Sequence, residues 1–536
     1  MKRWPVAVLL PLLMSGGPVP AQEPPPAQRV AAVPDEIVAR PVTLRSGIGQ
    51  AHDAVSTTSA QAQALYDQGL AYLHSHVWIE AARSFNQALR LDSSLAMGHL
   101  GMTVAYAELH DRVKARAALD RARALASTAS EHDRRHIEAR ALQMAAEDDP
   151  AEPSALAAYR NALDAALATH PADVELWLLR GIAQAPSPAD RGQGSVATSI
   201  GFFEQALSLA PGSAAAHHYL AHAYENVGDA ALALEHGAAY AAAAPVIPHA
   251  QHLHGHVLRR AGRIDDALRA FESADRLERA YFEAEKIPPQ HDWHYEHNLD
   301  LLGASYRYLG RMREAEAALK RGFDVPSSLL VQLLDKREWP AFLVSRGRTE
   351  EAEAAARVLI ADASPLVRAA GHVAAGQAML AAGRTQAAAG EAAAAVRELG
   401  GAPRGAALVA PALEALQGEL FLRTGQREKG RAMLDEVARR VREERDPENW
   451  ARALFMLEAI AKAARDAGDW DFAGFAARQM LAHDPGAGST HYALGLVAEH
   501  NGDVRTAQAE FALVEKYWAN ADPDLPELRA LQGKGR

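Results

Sequence analysis

Small and apolar residues recur along this chain at helical spacing, and the recurrence itself repeats. In "AQALYDQGLAYLHSHVWIEAARSFNQALRLDSS", from residue 62, Gly69, Tyr72, Ala81, Phe85 and Ala88 stand at repeat positions 8, 11, 20, 24 and 27. The next stretch carries Gly101 and then Tyr106, Ala115, Leu119 and Ala122, the last four 34 positions on from their counterparts. Small residues at such places let two antiparallel helices approach closely, and the larger ones fill the space between neighbours. The pattern predicts stacked helical hairpins, each needing the next to bury its apolar face.

Later units repeat a glycine between the two helices, at Gly228, Gly262, Gly310, Gly347, Gly383, Gly425, Gly468 and Gly502. A small residue follows five positions on, at Ala233, Ala267, Ala315, Ala352, Ala388, Gly430, Ala473 and Ala507. Spacing lengthens to 48 between Gly262 and Gly310 and to 42 and 43 on either side of Gly425. Residues 130 to 211 read as a degenerate unit with an insertion at "APSPADRGQGSV". These positions together resemble the tetratricopeptide repeat (TPR) superfamily. The resemblance implies an all-α solenoid of helical hairpins in a right-handed superhelix, with a concave groove for a protein or peptide partner. An N-terminal array is expected over 59–330, a second over 331–520 and a tail over 521–536. The low aromatic content, 6%, and the scarcity of β-branched runs agree with helix rather than sheet.

The N-terminus changes the picture. Lys2 and Arg3 precede an apolar run from Val6 to Met14 and the small-residue site Val19-Pro20-Ala21, which reads as a signal peptide over 1–21. Export to a periplasm or the medium is expected, as of an exported bacterial TPR protein. Residues 22–58, rich in proline and polar residues, read as a flexible leader. The chain has no cysteine, so disulfides and thiolate metal sites are excluded and any metal must use imidazole and carboxylate. A formal charge of -11 with interspersed signs argues against nucleic acid as the partner. The arginine-rich stretch from Arg427 to Arg445 carries as many interleaved acids as a solvated helix face does. No stretch is apolar for long enough to span a membrane.

Histidine then becomes the informative residue. Eleven of the chain's 23 histidines lie between His217 and His297. In TPR proteins, positions 2, 5, 9 and 12 of each first helix resemble a stripe lining the concave surface. Counted from the turn glycines, that stripe holds His218, His222 and Glu225 in one unit, His249, His252, His256 and Arg259 in the next, and His297 and Asp300 in a third, with His294 one turn earlier. Neighbouring helix axes pack about 8 to 10 Å apart, so two first helices can aim side chains at one ion. The expected site is a divalent metal (Zn, Fe, Mn or Cu) on His218, His222, His252 and His256, with His249, Glu225, His297 and Asp300 as ligands or outer partners. The competing reading is a polar groove holding a peptide or small acidic ligand, with Arg259 as anchor. Catalysis is the lesser expectation, because HExxH, P-loop and GxSxG patterns are all absent. If the protein is a hydrolase or oxidase, Glu225 is the general base. His74 and His76 read as structural residues near the first inter-helix turn, and His132 and His136 as part of a solvated helix start. The segment "LERAYFEAEKIPPQHDWHYEHN" reads as an extended helix followed by a rigid turn over the groove.

Overall fold

The computed structural model describes residues 32–327, 329–403, 405–443 and 450–532. The segment read as a signal peptide lies outside them. Helices run through the chain and no strand is present among the described residues. In order they are α1 (Ala60–His74), α2 (Trp78–Leu91), α3 (Ala96–Glu108), α4 (Arg112–Leu125), α5 (Glu131–Asp148), α6 (Pro153–Thr169), α7 (Val174–Ile182), α8 (Ile200–Leu209), α9 (Ala214–Val227), α10 (Ala230–Ala243), α11 (Pro248–Arg260), α12 (Ile264–Glu285), α13 (Tyr295–Tyr308) and α14 (Met312–Asp324). The second half continues with α15 (Leu330–Asp335), α16 (Glu338–Ser345), α17 (Thr349–Ile360), α18 (Pro365–Ala381), α19 (Thr385–Gly400), α20 (Ala410–Arg423), α21 (Arg427–Glu443), α22 (Trp450–Asp466), α23 (Trp470–His483), α24 (Gly488–His500), α25 (Val504–Tyr517) and α26 (Pro526–Gln532). The whole is an all-α array of consecutive helical hairpins.

The small residues act as expected. A Cβ on Gly69 would sit 2.4 Å from Phe85 Cε1, and one on Gly101 would sit 2.4 Å from Phe85 Cζ. The Phe85 ring, fully buried, is thus sandwiched between α1 and α3, and both helices must be bare at that point. All eight turn glycines adopt positive φ, between 69° and 86°. That left-handed conformation ends the first helix of each hairpin and costs glycine little. The first two hairpins place His76 and His110 there instead, each at φ 59°, a conformation that non-glycine residues seldom adopt.

Three departures from regular stacking close the array on itself. The elongated α12 reaches back to the first hairpin, where Tyr281 donates to Glu80 Oε1 at 3.0 Å and Arg83 meets Glu285 at 2.8 Å. The turn after it follows the expected extended helix and carries Trp293, whose indole donates to the His76 carbonyl at 3.0 Å. From the far end, Arg452 of α22 reaches Asp300 of α13 at 3.0 Å. Trp518 donates to the Tyr308 carbonyl at 2.9 Å, and Arg346 pairs with Glu527 of α26 at 3.0 Å. One apolar core accordingly joins Leu65, Phe85 and Trp78 to Tyr240, Ile247, Leu253 and Ile287.

The stretch expected as a flexible leader is packed over its described part, residues 32–58. Ile37, Val38 and Ile48 are buried, Asn86 donates to the Val38 carbonyl at 3.1 Å, and Val246 N–H donates to the Gly47 carbonyl at 3.2 Å. Its proline content suits an extended strap as well as a free linker, because a strap needs no internal hydrogen bonds. On α21, Leu434, Val437 and Val441 turn inward while Arg439 pairs with Glu436 and Glu443 outside, as the charge pattern implied.

Replacing Phe85 by alanine removes the ring that two helices share. The expected cost is about 3 to 5 kcal/mol, read as a lower urea unfolding midpoint by circular dichroism.

Candidate metal centre

Ring closure turns the concave face of the middle repeats into an interior. His218 is fully buried, and His252, His256, His294 and His249 are 2 to 5% exposed. The first hairpin adds His76, buried at the left-handed turn between α1 and α2. The rings touch one another in a continuous chain: His76 to His218 at 4.8 Å between centroids, His218 to His249 at 4.9 Å, His249 to His294 at 5.1 Å, His294 to His252 at 4.3 Å and His252 to His256 at 4.6 Å.

Among the described residues, two all-histidine groups of three gather their ligand atoms within 4.8 Å, His76 with His218 and His249 and His252 with His256 and His297, and a third group joins His294 to Glu278 and Asp292. A neutral imidazole has one N–H and one bare nitrogen, and a carbonyl can only accept. His218 Nδ1 lies 2.6 Å from the His74 carbonyl, so Nδ1 carries the proton and Nε2 is bare. His76 Nε2 faces the Arg191 carbonyl at 3.2 Å, which leaves its Nδ1 bare. His249 Nε2 stands 3.0 Å from His218 Nε2, and its buried Nδ1 has no hydrogen-bond partner.

The second group is oriented by an amide. Asn298 donates through Nδ2 to the Phe271 carbonyl at 3.2 Å and to Glu278 Oε2 at 3.4 Å. Its Oδ1 therefore faces His252 Nδ1 at 2.9 Å and accepts that proton, leaving His252 Nε2 bare and 2.9 Å from His256 Nε2. Glu278, fully buried, also holds His294 Nδ1 at 2.5 Å. Two imidazole nitrogens on one tetrahedral ion, each bound at about 2.0 to 2.1 Å, lie roughly 3.3 Å apart. The observed 2.9 and 3.0 Å separations are close to that spacing.

Burial makes these rings neutral. It pulls His76 down to about 3, helped by the neighbouring His222. It holds His218, His249, His256 and His294 well below the usual imidazole range, each assisted by adjacent rings. Neutral imidazoles with an oriented lone pair are what a metal ion needs from histidine.

The other expected residues surround the two triads. His222 lies on the flank of the first, its ring 5.0 Å from that of His218. Glu225 stands 3.9 Å from His256 Nδ1, on the side of the ring away from His252. His297 turns Nδ1 toward Asp335 Oδ2 at 3.9 Å. Asp300 pairs with Arg452, which also meets Asp335, and burial raises its carboxyl to about 7 against that arginine's pull. Arg259 packs over the Trp450 ring at 5.3 Å. The structure thus groups His218 with His249 and His76, and leaves His222 at the edge of that triad. His76, Asn298 and Glu278 escaped the repeat reading. For His76 one signal existed, a bulky residue at a turn position that later hairpins give to glycine.

His132 and His136 also differ from the sequence reading, whereas His74 is structural as expected. His74 is buried between Tyr219 at 2.7 Å and Glu175 at 2.8 Å. His132 and His136 form a compact ion cluster with Asp53, Asp133 and Asp173 instead of a solvated helix start. The strap over α5 buries them, since Ser56 N–H donates to Asp133 at 3.0 Å. Here imidazole is charged. Burial works against the His132 proton, but hydrogen bonds to Asp133, Asp173 and Asp53 raise it to about 12. Burial likewise pushes Asp173 up, and the hydrogen bonds from His132 and His136 outweigh it to hold the carboxyl below its usual range.

Beside the first triad lies a cavity of about 70 Å³ lined by Tyr66, Trp78, Leu100, Tyr159, Leu179 and Tyr219. His74 and Arg191, whose carbonyls orient His218 and His76, also line it. The Tyr159 hydroxyl is buried without a hydrogen-bond partner.

No family model and no curated protein matches this sequence. Several solved structures are similar over most of its length. One is the crystal structure of the yeast Tom70, with 13% identity, 88% of this chain and 94% of that chain covered, and a TM-score of 0.33. Another is the human IFIT1 dimer with m7Gppp-AAAA, with 10% identity, coverages of 87% and 92% and a TM-score of 0.37. Naa15/Naa10 bound to HypK-THB matches at 15% identity, coverages of 87% and 65% and a TM-score of 0.25.

The ion cluster has a definite pH signature. His132, raised on folding, contributes stability in full below about pH 6.5 and loses it as the pH climbs toward its folded value; Asp173, depressed on folding, contributes above about pH 4 and loses it in acid. His132→Gln should therefore cost about 1.5 to 3 kcal/mol near pH 5.5. The gap from wild type should narrow near about pH 9, measured by urea denaturation.

Proposed function

We propose that the protein is an exported helical-repeat scaffold whose closed interior holds a transition-metal ion on histidine. One observation carries the reading: the buried imidazoles of His76, His218 and His252 have their N–H groups engaged by a carbonyl or amide oxygen, and the bare Nε2 atoms of His218 and His252 face the Nε2 atoms of His249 and His256. An apolar core would fill such a space at lower cost, since burying unpaired polar atoms is unfavourable. An ion would take those nitrogens in place of the ring-to-ring contacts between His218 and His249 and between His252 and His256. All-nitrogen triads without carboxylate favour zinc or copper over manganese, which prefers oxygen. The alternative of a peptide lying on the histidines is disfavoured by their burial, so a protein partner of this scaffold would meet other faces of the array. Export rests on the basic and apolar N-terminus, Lys2, Arg3 and Val6 to Met14.

A second reading, a metal-dependent hydrolase or oxidase, is favoured by the apolar cavity that shares a wall with the first triad. Its substrate would be a mainly apolar molecule with a polar group for Tyr159, and Glu225 would act from behind His256. An anilinonaphthalene probe excited through Trp78 tests the cavity. Leu100→Trp, which fills it, should abolish the transfer, and an unlabelled cavity removes the support for this reading.

Metal analysis of protein purified without a histidine tag tests the first reading. Wild type should carry or take up zinc or copper, and the His218→Ala/His252→Ala variant should carry neither. A wild type that stays empty after reconstitution refutes the proposal. Glu278→Gln, which disturbs the groups orienting His252 and His294, should weaken binding by about 10- to 100-fold.

A further inference from the structure

The interior holds more imidazole than one ion can use. A structural or catalytic ion takes three or four protein ligands, whereas two complete triads are present, His76 with His218 and His249, and His252 with His256 and His297. No histidine belongs to both. Each triad also has its own orienting oxygens: the His74 and Arg191 carbonyls for the first, and Asn298 Oδ1 for the second. The triads are contiguous, with the rings of His249 and His252 stacked 6.2 Å apart.

His294 stands at the junction. Its ring is 5.1 Å from that of His249 and 4.3 Å from that of His252. Its Nδ1 is engaged by Glu278, and its Nε2 is buried with no hydrogen-bond partner. A side chain held so firmly at one nitrogen and left unsatisfied at the other is positioned for an occupant between the triads.

We propose that the interior is a paired metal centre, in which two zinc or copper ions are each held by three imidazole nitrogens and His294 lies between them. This deepens the metal-binding reading above and rests on it. The pairing has a physical consequence. Two cations in neighbouring buried sites repel each other, so the ligand set must be backed by negative charge close outside it. Buried carboxylates stand there: Glu278 behind His294, Glu225 behind His256, and Asp335 with Asp300 behind His297. Arg452 already offsets part of the last pair.

Titration of the metal-free full-length protein with Zn2+, followed by calorimetry and elemental analysis, should give two equivalents. His76→Gln and His297→Gln should each retain one, and the double variant none. Loading with Cu2+ should give spin-coupled electron paramagnetic resonance, with a half-field transition that disappears in either single variant. One equivalent in wild type, lost equally in both single variants, overturns the pairing and leaves the metal-binding reading standing. No equivalents at all overturns both. Circular dichroism checks folding. Should His76→Gln unfold the first turn, His218→Gln reports on the same triad from a regular helix.

Discussion

The interior of this protein is governed by a constraint on imidazole. Buried and neutral, each ring brings one donor and one acceptor, and an oxygen placed at one nitrogen fixes the proton there and leaves the other bare. Those oxygens come from outside the chain of rings, two of them from irregular elements of the array. The insertion before α8 brings the Arg191 carbonyl to His76. The end of α1 brings the His74 carbonyl to His218. The elongation of α12 brings Glu278 to His294 and to Asn298, which in turn orients His252. Regular repeats provide the frame, and the departures from regularity build the centre.

The same residue types behave oppositely two helical hairpins away. At the strap, two histidines meet three aspartates, and ion pairing outweighs burial, so imidazole is held protonated. In the interior, histidines meet mostly histidines, and burial with mutual repulsion keeps them neutral. A charged imidazole has no lone pair to give, which separates a clamp from a candidate ligand set. Both clusters bring metal-ligating side chains within reach of one ion; only the proton inventory tells them apart.

Much of the fold was legible because hairpin packing is local. Turn glycines and the small residues flanking Phe85 act through neighbours within one repeat, so their spacing in the chain survives as geometry. The histidine stripe on α9, α11 and α13 was legible for the same reason. What the spacing could not show depends on closure. His76 joins His218 across 142 positions of chain, Arg452 meets Asp300 across 152, and the strap covers His136 from outside the array. Contacts of that range depend on the curvature accumulated over many hairpins, which no single repeat encodes.

Closure also changes how the array should behave as a cooperative object. Repeat solenoids are stabilised by nearest neighbours, so that distant units unfold with little mutual influence. Here the first hairpin contributes His76 to a triad completed by α9 and α11, and α12 returns to contact the first hairpin at Glu80 and Arg83. An ion bound to that triad would be lost when either end of the ring opened. Its binding free energy would then count toward the closed state as a whole. Metal occupancy and ring closure would then be one equilibrium, since His76 reaches its triad from the first hairpin only when that hairpin meets α9 and α11.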